Sequence, residues 1–169
     1  CSHNLGMAYA ALGDFSQAQA DIERAIRAAR KEGARVAIFT CELAILQALR
    51  GKISKAKAIL DEHSEQIVRP GVEQALIRLW HAAITTVLDG PEAGRARLPQ
   101  TQPDVGREIA GIRTIRQALE GDPDAWQEIQ SPTPDTPFVN SSEVSLQIRL
   151  LSQFLREHGT IVPSDSKNQ

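Results

Sequence analysis

The sequence predicts an all-α fold of antiparallel helix pairs closed by a final amphipathic helix. Three observations lead there. Apolar residues recur at spacings of three and four through most of the 169-residue chain, the period that puts them on one helix face. Leu5, Gly13 and Ala18 return as Leu43, Gly51 and Ala56, all displaced by 38 residues, so a helix-turn-helix unit is repeated. Aromatic residues make up only 4% while alanine is abundant, which suits thin helices packed through small side chains better than aromatic-rich strands.

The first unit covers residues 1–31. Its first helix runs from Ser2 to Leu12 with Leu5, Ala8, Tyr9 and Leu12 on one face, and Leu12-Gly13-Asp14 makes the hinge. Ser16 is the expected N-cap of the second helix, which carries Ala18, Ile22, Ala25, Ile26 and Ala29 to Lys31. The second unit covers residues 34–68. Phe39, Leu43, Leu46 and Leu49 line its first helix, Gly51-Lys52 turns the chain, and Ser54 is placed to cap a helix holding Ala56, Ile59, Leu60 and Ile67. Pro70-Gly71 then breaks the chain, because proline disfavours helix at the residue before it.

Residues 71–98 form a degenerate third unit, with Leu76, Leu79, Trp80, Ala83, Ile84 and Val87 in its long helix and Pro91 in the first turn of a short one. Residues 104–130 form the fourth, from Val105 through Ile109, Ile112, Ile115, Ala118 and Leu119, over Gly121-Asp122-Pro123, to Ala125, Trp126 and Ile129. A proline-rich loop follows at 131–140. The final helix spans 141–159, with Val144, Leu146, Ile148, Leu150, Leu151, Phe154 and Leu155 available for burial, either as a cap over the exposed end of the stack or as a dimerisation helix. A polar tail at 160–169 is expected to be disordered.

Within the first unit, Leu5, Gly6, Tyr9 and Ala18 fit the pattern W-x2-L-G-x2-Y, A-x3-F, P, with Ser2, Ile22 and Arg30 standing for its tryptophan, phenylalanine and proline. On these residues the chain resembles the tetratricopeptide repeat (TPR) family, in its long-helix variants, over residues 2–67. The resemblance implies a right-handed α-solenoid whose first helices line a concave groove that takes a segment of a protein or peptide partner. Carried over position by position, the groove residues are His3, Asn4 and Met7 in the first unit and Cys41, Glu42 and Ile45 in the second. With Gly90 aligned to Gly13, the third unit adds Trp80, His81 and Ile84. The basic clamp that TPR chaperone adaptors use for a C-terminal carboxylate is missing from these positions. A second expectation is a sensory or self-association domain of a multidomain regulator, answering to a peptide or small ligand and dimerising through the C-terminal helix.

Composition narrows the function classes. A net charge of -2, from 19 basic and 21 acidic residues mixed along the chain, gives no broad field for nucleic acid or anionic lipid. Arg24, Arg27, Arg30, Lys31 and Arg35 form the densest basic cluster, but Asp21, Glu23 and Glu32 interrupt it, as on a solvated helix face. No apolar run is long enough for a membrane span. Two cysteines make neither a disulfide framework nor a metal-ligand spacing, so a reducing, cytoplasmic setting is expected. Because Cys1 runs directly into a repeat helix, the chain is expected to be a fragment of a longer protein; an acylated Cys1 is the alternative.

No phosphate loop, dinucleotide fingerprint, zinc-helix motif or nucleophile elbow is present, and His3, His63, His81 and His158 are dispersed. His63 reads as a surface residue, Cys41 as a buried packing thiol, and Trp80 and Trp126 as packing between units rather than as a ligand cover. No catalysis, cofactor or metal is expected.

Overall fold

The computed structural model describes residues 2–32, 35–69, 71–98, 109–131 and 143–159; the side chains of residues 2–5, 31–32, 109–110 and 143–145 are not described. Within them the chain is all-helical. The first pair is α1 (Ser2–Ala11) and α2 (Phe15–Glu32), the second α3 (Val36–Leu49) and α4 (Ile53–His63), the latter prolonged by a 3-10 turn at Ser64–Gln66. The third is α5 (Val72–Asp89) and α6 (Pro91–Ala96), the fourth α7 (Ile109–Glu120) and α8 (Pro123–Gln130), and α9 is Glu143–His158. Val105, Gly33, most of the proline-rich loop and the tail lie outside the described residues.

Each pair turns on a glycine in the left-handed region, Gly13 at φ 80°, Gly51 at 81°, Gly90 at 97° and Gly121 at 100°, a conformation that costs any residue with a Cβ. Three of the turns are the same object. Gly13 N–H donates to Ala10 O at 3.0 Å and Asp14 N–H to Tyr9 O at 2.9 Å. Gly51 and Lys52 repeat this onto Ala48 and Gln47, and Gly121 and Asp122 onto Ala118 and Gln117. These paired bonds close the C-terminal turn of each first helix and start the second one a fixed number of residues later. The fourth unit, which does not meet the repeat pattern in its first helix, therefore shares the hinge of the first two.

Two expected caps are corrected by this geometry. The cap of α2 is Asp14, whose Oδ1 accepts from Gln17 N–H at 3.1 Å, and not Ser16, which is exposed in the first turn. Lys52 occupies the N-cap position of α4 with no side-chain bond, and Ser54 already lies inside the helix. Pro91 and Pro123 do sit in the first turns of α6 and α8, and Asp122 caps α8 by accepting from Asp124 and Ala125 N–H.

Close approach within the pairs depends on small residues. A Cβ on Gly6 would lie 2.9 Å from Ile22 Cγ1 and 3.2 Å from Ala18 O, so α1 and α2 cross where Gly6, Ala18 and Ile22 meet. Gly94 plays the same part between α6 and α5, where Thr86 and the Ala82 carbonyl leave no room for a side chain. Each pair packs on the next, and the first helices α1, α3, α5 and α7 also touch in sequence. Leu12, expected in the core, is 70% exposed at the hinge, whereas Met7 and Ala10 of α1 are buried.

The last helix departs furthest from expectation. It packs on α7 and α8 as an end cap would, but it also packs on α5 and reaches α1 in the first pair. Leu146, Gln147, Leu150, Leu151, Phe154 and Leu155 are all buried. No helix of the described residues is long and apolar enough to cross a membrane.

Candidate helix-binding site

The surface that receives α9 is built from α1, α5, α7 and α8, and the last three supply specific fittings. On α7, Gly111 lies in the first described turn, and its missing Cβ would be 2.9 Å from Ile148 Cγ2, so Ile148 of α9 enters a notch. On α5, the Trp80 ring faces Phe154 at a centroid distance of 5.5 Å and a tilt of 55°, and Phe154 in turn meets the His158 ring at 4.9 Å. On α8, the Ile129 carbonyl accepts from Arg156 Nη1 at 3.1 Å, a cation on the negative end of a helix. Where α9 ends, the backbone of Gly159 abuts the Trp126 ring, since a Cβ there would lie 2.8 Å from Cη2.

His3 and Asn4 of the expected groove lie in α1, where their side chains are not described. Met7, Cys41, Glu42, Ile45, Trp80, His81 and Ile84 are all buried, none more than 3% exposed. None of these seven is open surface in this conformation. Trp80 faces the chain's own α9. Burial, with the neighbouring Glu42 carboxylate adding to it, pushes the Cys41 thiol up to about 12, far from the reactive range.

His81 points elsewhere. One position further along α5 turns a side chain by about 100°, and His81 meets α4 rather than α9. Its Nε2 lies 2.7 Å from Asp61 Oδ1 and its Nδ1 3.3 Å from Ser64 Oγ. Asp61 also takes Lys57 Nζ at 2.7 Å and Arg97 Nη2 at 3.5 Å, and Lys57 reaches Asp89 at 3.5 Å. Serine, histidine and aspartate thus form a chain, but Ser64 is 3% exposed and its hydroxyl is enclosed. The network ties the second pair to the third.

Burial, helped by the Arg97 and Lys57 charges and opposed by Asp61, holds His81 below its ordinary value of 6.5, so the neutral ring donates from Nε2 to Asp61 and accepts from Ser64 at Nδ1. Burial raises the Asp61 carboxyl, but the bonds from Lys57 and His81 outweigh it and hold the group below 3.8. Both folded-state values are depressed, so the unfolded chain binds protons first on acidification. Stability due to His81 is complete above pH 6.5 and is lost as pH falls through its lower folded value; the Asp61 contribution goes only below pH 3.8. The urea midpoint of the native chain should therefore fall between pH 7 and pH 5 by more than that of His81→Gln. Equal falls would place the acid sensitivity elsewhere.

No protein-family model, no curated protein and no solved structure matches this chain. Its own surfaces carry the functional reading.

Two of the clefts among the described residues open on the outside. One of ≈ 250 Å³ lies between α7, α8 and α9, with Thr114, Glu128, Arg149, Ser152 and Arg156 on its walls. The other, ≈ 600 Å³, lies where α3 and α5 begin, bounded by Ile38, Val72 and the 82% exposed Val68 and crossed by the Arg35–Glu73 ion pair at 3.2 Å. Gly111, Trp126, Phe154, Arg156 and Gly159 were not singled out from the sequence as a docking set. Gly111 carried a usable signal, because a glycine inside an amphipathic helix is costly unless something approaches closely.

Proposed function

We propose that this chain is a non-catalytic helical-repeat interaction module of TPR-like, right-handed solenoid form, and that the surface along its first helices receives an amphipathic helix. The observation that supports this reading is α9 itself. An amphipathic helix lies across α1, α5, α7 and α8, with an aromatic anchor, a glycine notch and a cation on a helix C-terminus. Two further features favour the solenoid. The hinge recurs in three of the four pairs with the same hydrogen bonds. The first helices of consecutive pairs also approach one another more extensively than the second helices do, which suits a stack curved toward the first helices.

A partner helix competes with α9 for this surface, so α9 sets the threshold for binding. Fluorescence polarisation with a labelled peptide of residues 141–159 tests the reading. The peptide should bind a full-length Leu151→Asp variant, whose own helix is disabled, at least tenfold more tightly than the native chain. No binding to either protein would sink it. The second reading, self-association through α9, is favoured by the same helix, whose large apolar face needs a cover whenever it leaves its own chain.

A further inference from the structure

We infer that the occupant this surface takes from outside is α9 of a second copy of the chain, by reciprocal exchange of the helix between two molecules. The inference rests on reading the surface as a helix receptor, and names the helix. Complementarity is specific to this sequence: Gly111 matches Ile148, Trp80 matches Phe154, the Ile129 carbonyl matches Arg156, and Trp126 matches the side-chain-free backbone at Gly159. A helix with other residues at these four places loses part of the fit, whereas a second copy brings all of it.

The connection allows the exchange. Residues 131–142 separate α8 from α9, twelve residues that reach about 40 Å when extended. The 16-residue α9 is only about 24 Å long. Twelve residues of chain are long enough for an undocked α9 to reach a neighbouring receptor while the pairs stay folded. Exchange then restores every α9 contact in both molecules, so the dimer differs from two monomers chiefly in association entropy and in the path of the connector. Undocking is also eased by imperfect satisfaction of the joint, since the buried Trp80 Nε1 and Gln147 Oε1 have no hydrogen-bond partner.

A cross-linking experiment on the full chain decides the matter. In a Cys1→Ser background, Gly111→Cys and Ile148→Cys are made as separate proteins, mixed at high concentration and oxidised. The two positions are in van der Waals contact across α7 and α9, within disulfide reach, and Cys41 stays silent because it is buried. A disulfide-linked dimer in the mixture, absent from either protein alone, is expected; because a Cβ at position 111 presses on the native Ile148 of its own molecule, that dimer supports exchange only together with the behaviour of the unsubstituted chain. Only monomers in the mixture, while a chain carrying both substitutions closes its bond internally, would overturn the exchange. Sedimentation of the unsubstituted chain supplies a second readout that needs no variant: its mass should double with concentration, and a constant monomer mass overturns the proposal. Peptide binding without dimerisation would retain the receptor and reject the second copy as its occupant.

Discussion

Leu151→Asp releases α9 while leaving the four helix pairs folded. Leu151 is fully buried on the inner face of α9, one turn before Leu155 and beside the Phe154 that meets Trp80. A carboxylate at that depth has no partner and costs several kcal/mol to desolvate. Exposing the helix instead forfeits the burial of Leu146, Leu150, Phe154 and Leu155, and that loss is limited because the pairs keep their mutual contacts. Undocking is the cheaper escape. The expected loss is about 3–5 kcal/mol, the range for removing a large core anchor, which lowers Tm by roughly 10 °C or more. Hydrogen exchange should show the α9 amides unprotected while those of α3 and α4 remain slow. Loss of protection throughout would mean that α9 is indispensable to the pairs, and retained α9 protection would mean that the aspartate finds water without undocking.

Gly94→Val should be strongly destabilising, with a sign opposite to the general rule. Replacing a helical glycine by a residue with a Cβ ordinarily stabilises by about 1 kcal/mol through chain entropy when the second residue is alanine. Here the Cβ meets Thr86 Oγ1, which is engaged with the Ala82 carbonyl at 2.8 Å, and lies 2.9 Å from that carbonyl oxygen. Backbone cannot step aside, so α6 must lift from α5. Overpacking of this kind costs about 3 kcal/mol, read as a lower denaturant midpoint at unchanged slope. Gly71→Ala is the control, because nothing lies within 4 Å of a Cβ there. A stable Gly94→Val protein would show that the pair separates freely and that the crossing is not tight.

The elements and their order were legible because they depend on local chemistry. Gly13, Gly51, Gly90 and Gly121 could be read as hinges, since a left-handed residue after an apolar helix is a local requirement. The caps at Ser16 and Ser54 were misread for an equally local reason: the turn bonds of Asp14 and Lys52 start the second helices earlier than the serines do. What α9 covers was not legible. An amphipathic stripe states that a face is buried and is silent on the partner, so α9 fitted an end cap as well as it fits a surface reaching back to α1. Trp80 and His81 show the limit of position-by-position transfer. Adjacent in sequence, they face different neighbours, one α9 and the other α4, and only the orientation of α5 decides which.

The meeting of α9 with α1 joins helices whose starts are about 140 residues apart, and this has a consequence for biosynthesis. The pairs form from near neighbours and can assemble as the chain leaves the ribosome, but the helix that covers them is made after all four. At the usual elongation rates, roughly 10–30 s separate the emergence of the first pair from that of α9. During that interval every nascent chain presents a bare apolar cradle, and on a polysome several such chains hang side by side, some with α9 just emerged. If α9 exchanges between copies as proposed, pairing between neighbours on one messenger is favoured by proximity, and translation pauses between α8 and α9 would shift the yield of monomers and exchanged dimers with no change in the protein's sequence.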